Sequence, residues 1–300
     1  MTTGPTEQDF ASICSDIDRA LAEHLPATCV ASDLLEASRH AVSGPAKRVR
    51  STLLVLTSDA LGGARRAALA AASAVEFTHA ASLVLDDLPA MDNASERRGK
   101  PATHVAFDEA TAIISAIALM NQSFAVLAQT KAIGDRDRTR CVQYLSRAIG
   151  YDGLVTGQML DLQPGQSTEL DGIEAKHFGK TGALFAAALA LGGAVAGADE
   201  ATCERLWDAG GRLGVAFQGY DDLLDRHAAA SSVGKPVGAD EGKPTVATVL
   251  ERKAALDWCA LRLAAAHDSL TGLGLGESAL DVYVRGLSRR LTAPLLAETA

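Results

Sequence analysis

Two groups of carboxylates stand out along this 300-residue chain: DDLPAMD, from Asp86 to Asp92, and GYDDLLD, which contains Asp221, Asp222 and Asp225. Each lies in apolar flanks, the first at the end of VEFTHAASLVLDD. Burying several carboxylates in such surroundings is costly without countercharge. Pro89 cannot continue a helix normally, so the chain is expected to turn there and bring Asp92 back toward Asp86. Asp221 and Asp225 are spaced i, i+4 and share one helical face, a turn apart. Hard oxygen donors of this kind suit Mg²⁺, which takes a few carboxylates together with waters and substrate phosphates. One such cluster alone reads most simply as a solvated helix end; two of them read as a metal site.

The basic residues indicate what that metal holds. Arg97, Arg98 and Lys100 closely follow the first cluster, Lys47 and Arg50 sit at i, i+3 near a helix start, and Lys180, Lys235 and Lys243 come later. Each alone is a candidate for a surface ion pair. Together, acids for Mg²⁺ beside Arg and Lys clamps describe a site for diphosphates. The sequence has no GxxxxGK[ST] loop and no GxSxG elbow, so neither a P-loop nucleotide site nor acyl transfer by a covalent serine has support. The five cysteines (Cys14, Cys29, Cys141, Cys203, Cys259) contain no CxxC pair. Buried thiols in a reducing cytoplasm are expected, rather than disulfides or a zinc site. Net charge is −9, and no basic run is longer than Arg97–Arg98 plus Lys100. That balance argues against nonspecific nucleic-acid binding.

The elements that must hold these groups are helical. The chain has 57 Ala, 48% hydrophobic residues and only 4% aromatics, a mixture that favours packed helices over a sandwich or barrel. The apolar spacing predicts helices over 8–25, 29–42, 46–61, 65–87, 104–130, 137–160, 173–196, 200–229, 244–267 and 277–298. Gly62-Gly63, Pro89, Gly99-Lys100-Pro101, Pro164-Gly165 and Gly234-Lys235-Pro236 mark breaks. No linker divides the chain, so one all-α domain over 1–300 is expected. The N-terminal MTTGPTEQDF lacks the basic and apolar regions of a secretory signal. Thr181 to Ala198 carries no charge and approaches the length of a bilayer span. It is largely Ala and Gly and is bracketed by Lys180 and Asp199, so a helix buried within the protein is predicted instead of a membrane span. An internal echo links the two acidic clusters. Asp86-Asp87-Leu88 is followed thirteen residues on by Gly99-Lys100-Pro101, and Asp221-Asp222-Leu223 thirteen residues on by Gly234-Lys235-Pro236.

DDLPAMDNASERRGKP and GYDDLLD resemble the two aspartate-rich motifs of the trans-isoprenyl diphosphate synthases, the polyprenyl synthetases. The resemblance extends in order to AKRVR, EFTHAASLVLDD, LVTGQMLDL, HFGKTGALF and VGKPVGADEGKPT, covering most of the chain. It implies an all-α bundle of helices around a central cavity, with the two Asp motifs facing across its mouth, and a homodimer. It further implies that Asp86, Asp92 and Asp221 coordinate three Mg²⁺ on an allylic diphosphate, with Asp87, Asp222 and Asp225 supporting. Arg97, Lys180, Lys235 and Gln218 would hold that diphosphate, assisted by Thr181. Lys47, Arg50, His79 and Arg98 would hold isopentenyl diphosphate without metal, and Lys243 would lie in a closing loop. The implied reaction joins isopentenyl diphosphate to dimethylallyl, geranyl or farnesyl diphosphate, with the departing diphosphate as base.

Departures from the family pattern are Gly44-Pro45-Ala46 where relatives often have Gly-Gly, Ser51 where they usually have Pro, and Leu85 where His often precedes the first Asp pair. A class I terpene cyclase, a non-catalytic synthase subunit and a helical interaction protein are the competing readings. The cyclase needs neither the Lys47/Arg50 pair nor two intact motifs, and a non-catalytic subunit could have lost its acids. Product length is expected to depend on the helix before the first motif. Ala81, five residues before Asp86, leaves space where an aromatic commonly stops growth at fifteen carbons. Phe77 lies about 6 Å deeper at 1.5 Å per residue. It would floor a pocket for twenty carbons, so geranylgeranyl diphosphate is the expected product, with farnesyl diphosphate the alternative.

Overall fold

Helix follows helix along the chain, as its alanine content and apolar spacing require. A computed structural model describes residues 6–163, 165–227 and 243–297; among them the strands are limited to β1 (Glu96–Arg97) and its antiparallel partner β2 (Lys100–Pro101). Contacts gather into two compact units, Met1–Leu145 with Leu191–Asp199, and Ser146–Ala190 with Glu200–Ala300.

The first unit contains α1 (Glu7–His24), α2 (Ser32–Val42), α3 (Val49–Ala60), α4 (Arg65–Asp86), the hairpin, α5 (Thr103–Ala106), α6 (Glu109–Gln129) and most of α7 (Asp135–Ile149). Helix α4 is its centre: 14 of its 22 residues are buried, against α1, α2, α3 and α6. A helix apolar nearly all round can satisfy its surface only by such enclosure. Phe77 and Ala81 are both fully buried within it. The stretch 104–130, expected as one helix, divides at Asp108, whose side chain accepts from the Thr111 amide at 2.8 Å and starts α6 afresh.

The second unit contains α8 (Leu154–Leu162), α9 (Leu170–His177), a π-helical turn (Phe178–Gly182), the start of α10 (Ala183–Val195), α11 (Glu200–His227), α12 (Val246–Val249), α13 (Arg252–Thr271) and α14 (Ala279–Ala297). Helix α11 packs against α13, α14 and the π turn. Small residues allow this approach: a Cβ on Gly214 would stand 2.6 Å from the Gly182 Cα. Ile173, Tyr220, Leu223 and Trp258 contribute to its core. Three further predicted helices are interrupted. The stretch 137–160 separates into α7 and α8 at Gly150–Gly153, 173–196 contains the π turn, and 244–267 separates into α12 and α13.

Three helical stretches are long and apolar enough, by length and composition, to cross a membrane: Arg65–Asp86, Glu109–Gln129 and Leu170–Val195. The last has 89% of its most apolar window buried in the protein, in line with the enclosed helix expected there. All five cysteines are free thiols. Cys141, Cys203 and Cys259 are buried as expected; Cys29, by contrast, is exposed.

Candidate functional site

In the first unit, α4 ends where its acidic residues begin, and Pro89 follows. The Asp92 amide donates to the Asp86 carbonyl at 2.9 Å and the Ala94 amide to the Asp87 carbonyl at 3.2 Å. The chain therefore turns back on the helix end and sets Asp92 beside Asp86. Asp86 is half-buried and Asp92 exposed, while Asp87 is buried. The hairpin then reverses through Arg98 and Gly99, whose φ values of 55° and 73° match a type I′ turn. Arg97, on β1, donates through Nε to Asp87 Oδ1 at 2.9 Å and also through Nη2. Burial works against the Arg97 charge, but Asp87, with Asp86 and Asp92, outweighs it and raises the pKa.

Four guanidinium groups gather on this side. Arg50 Nη1 lies 3.3 Å from His79 Nε2. Burial and Arg98 pull Arg50 down to about 10, with Glu76 opposing. Burial first, then Arg50, Arg98, Arg48 and Arg97, hold the His79 ring well below its ordinary value. Arg50 can only donate, so the neutral ring accepts at Nε2 and carries its proton on Nδ1. Lys47 is exposed on the segment before α3. The Gly44 departure has a visible role: its φ of 113° suits glycine, and the Lys100 side chain crosses over it, with Nζ 3.3 Å from the Ser43 carbonyl.

The second unit gathers lysines. A Cβ on Gly157 would lie 2.1 Å from the Lys180 amide nitrogen, so α8 can press against the π turn only with glycine there. Asp161, one turn further along α8, consequently meets Lys180 Nζ at 2.6 Å. Lys243 Nζ reaches the same oxygen at 3.0 Å, and Lys176 Nζ lies 3.5 Å from the other. Burial alone would raise the Asp161 carboxyl; Lys180 and Lys243 overcome it and hold it down to about 2. Alongside runs a chain of polar contacts. Thr181 Oγ1 donates to Gln218 Oε1 at 2.7 Å, and Gln218 Nε2 donates to Asp222 Oδ1 at 3.0 Å. Asp222 Oδ2 is 3.0 Å from His177 Nε2. Asp221 and Asp225 are half-buried on α11, one turn apart. Lys235 lies outside the described residues.

No group of three or more His, Cys, Asp or Glu poised for a metal occurs among the described residues. Mg²⁺ does not require one, since one or two carboxylates suffice when waters and phosphates complete the octahedron. Asp86 with Asp92, and Asp221 with Asp225, fit that donor set. Asp87 and Asp222 are instead engaged by Arg97 and by His177 with Gln218.

Sequence reasoning passed over Arg48, Glu76, Asp161, Lys176 and His177. Asp161 and His177 sat inside motifs already singled out, and an acid in an apolar helix was the available signal. Arg48 stood between Lys47 and Arg50 without any periodicity to distinguish it.

The polyprenyl synthetase profile matches residues 31–257. The chain is 37% identical over 245 residues to the farnesyl diphosphate synthase of Micrococcus luteus, covering 81% of this chain and 84% of that one. It is 38% identical over 254 residues to the geranylgeranyl diphosphate synthase of Pantoea ananas, covering 83% and 82%. A geranyltransferase from Helicobacter pylori, solved in complex with magnesium and isoprenyl diphosphate, superposes with a TM-score of 0.83 at 26% identity, over 98% of this chain and 99% of that one.

Proposed function

Since the chain belongs to the polyprenyl synthetase family, we propose that it joins isopentenyl diphosphate head-to-tail to an allylic diphosphate, with all-trans geranylgeranyl diphosphate as the main product. The observation that carries this reading is that directed cations meet a buried carboxylate in the motif-bearing part of each unit. Arg97 grips Asp87 in the first acidic cluster, and Lys180 and Lys243 converge on Asp161 of α8, within the LVTGQMLDL motif. The whole of 1–300 acts as one synthase domain, working in the cytoplasm.

Asp86, Asp92, Asp221 and Asp225 would hold Mg²⁺, three ions by family likeness, with Asp87 and Asp222 orienting their surroundings. Bound Mg²⁺ supplies neutralisation of the diphosphate charge. Lys180, Lys243, Lys235, Arg97 and Gln218, with Thr181, bind the allylic diphosphate. As its carbon–oxygen bond breaks, these cations face the electron pair that departs with the diphosphate. Lys47, Arg50, His79 and Arg98 fix isopentenyl diphosphate so that its double bond attacks the allylic carbon. Arg50 and Arg98 beside the neutral His79 make a site suited to an anion without metal. The departing diphosphate then takes the released proton. Ala81, with Phe77 one turn deeper on α4, would set a twenty-carbon limit on the growing chain.

A homodimer follows from family likeness and from α6, which exposes Ile113, Ile114 and Ile117. Sedimentation should give a dimer, and Ile117→Lys should split it.

The direct test incubates the protein with Mg²⁺, isopentenyl diphosphate and each allylic primer, then analyses the dephosphorylated alcohols. Twenty-carbon geranylgeraniol is the expected result. Farnesol would shift the length assignment alone, whereas hydrocarbons from a single diphosphate would favour a cyclase. Ala81→Tyr should shorten the product to fifteen carbons and Phe77→Ala should lengthen it past twenty. Unchanged products from both folded variants would place the wall elsewhere.

A further inference from the structure

We infer that Arg48 is a positioning residue for the metal-free diphosphate pocket, acting through a buried network with Glu76 and Ser51. This rests on the reading above, in which Lys47, Arg50, His79 and Arg98 receive isopentenyl diphosphate.

Arg48 stands at the N-cap of α3 with φ 45° and ψ 34°, a left-handed conformation that non-glycine residues seldom adopt. Its side chain accounts for the exception. The residue is 5% exposed, and its guanidinium ties together three other helices. Nε donates to Asp18 Oδ1 on α1 at 2.9 Å, Nη1 to Glu76 Oε2 on α4 at 2.8 Å, and Nη2 to the Val42 carbonyl at the end of α2 at 2.8 Å. The planar fork of arginine can meet these three acceptors at once; an ammonium on a lysine stem cannot match their spread. Glu76 is itself buried, and its other oxygen accepts from Ser51 Oγ at 2.6 Å.

The geometry makes this hub more than a structural bolt. Glu76 and His79 are three residues apart and share a face of α4. Arg48 meets the first and Arg50 the second, two steps of one ladder between α3 and α4. The left-handed turn at Arg48 is where the chain passes from exposed Lys47 into the helix that carries Arg50. The same contact therefore sets the entry of α3 and the height at which Arg50 faces His79. Ser51, one of the departures from the family pattern, completes the network through a hydroxyl that proline lacks.

The test compares Ser51→Ala, Arg48→Lys and the double variant Arg48→Met/Glu76→Met, which leaves no buried charge of that pair unmatched. Apparent KM is measured for isopentenyl diphosphate and for the allylic primer separately, with kcat and thermal midpoint alongside. The KM for isopentenyl diphosphate should rise about threefold for Ser51→Ala and about tenfold for the other two, with kcat and allylic KM within twofold. Unchanged isopentenyl KM in folded variants would overturn the inference. So would parallel movement of kcat and both KM values, which marks a merely structural role. If the double variant does not fold, Ser51→Ala and Arg48→Lys decide by the same criteria. A wild-type protein that consumes no isopentenyl diphosphate would instead defeat the proposed function itself.

Discussion

Guanidinium groups gather beside α4, and ammonium groups converge on Asp161 of α8. Around α4, Arg48, Arg50, Arg97 and Arg98 are wholly or partly buried, and Arg48 and Arg97 make several directed bonds each. Around α8 and the π turn, Lys176, Lys180 and Lys243 are drawn to the single carboxylate of Asp161. Arginine keeps its charge and fixes direction; lysine is a compact charge on a flexible stem. In the proposed function the arginine region is prebuilt for an anion of one shape. The lysine region holds its cations against an internal acid, from which, in the proposed function, an arriving diphosphate draws them.

The largest expected effect tests what both regions serve. Asp86→Ala or Asp221→Ala should each lower kcat/KM by about a thousandfold or more, roughly 4 kcal/mol of transition-state stabilisation, with helical circular dichroism unchanged. Near-normal turnover at limiting Mg²⁺ would remove the metal from both. Gly157→Ala should come next and should break the lysine region alone. Its Cβ would fall 2.1 Å from the Lys180 backbone nitrogen, where only the chain itself can give way. A loss of about 3 kcal/mol in stability, by denaturant unfolding, should accompany a raised allylic KM, while the KM for isopentenyl diphosphate stays put.

Asp161→Asn sharpens the contrast further. The carboxyl is held at about 2, below its ordinary 3.8, so its ionised form stabilises the fold above pH 4 and that contribution disappears as pH falls toward 2. The variant should be less stable than wild type by about 2 kcal/mol at neutral pH, and the two unfolding curves should converge in acid. A gap that persists at pH 2 would mean the lysines matter through packing and not through charge. The smallest effect belongs to Lys47→Ala, on the exposed rim of the arginine region. It should raise the KM for isopentenyl diphosphate about tenfold, near 1.4 kcal/mol, and leave the allylic KM alone.

Much of this was legible in the sequence because it depends on local chemistry. Pro89 predicted the turn that brings Asp92 to Asp86, and i, i+4 spacing placed Asp221 with Asp225. The alanine-rich stretch after Lys180 read as an enclosed helix and is one. What escaped depends on contacts between residues far apart in sequence. Asp161 meets residues 19 and 82 positions away, and Glu76 meets Arg48 28 positions away. Nothing in periodicity ranks Arg48 above Lys47 and Arg50, because the turn that buries it is held by its own distant partners. The break at Gly150–Gly153 also escaped, since the apolar pattern of α7 carries across into α8 and only tertiary packing resolves the pause.

The backbone at Arg48 and Arg98, with φ of 45° and 55°, carries a consequence for protein engineering. A stabilisation protocol that ranks positions by dihedral preference would select both for replacement by glycine or asparagine, expecting to recover about 1 kcal/mol at each. At Arg48 the replacement would strand the buried Glu76 carboxylate, so thermal screening would reject it; at Arg98 the same screening would reward the loss of an arginine of the proposed site. Selection for heat tolerance and selection for turnover therefore agree at Arg48 and pull in opposite directions at Arg98, so a useful screen must couple melting to product formation in every round.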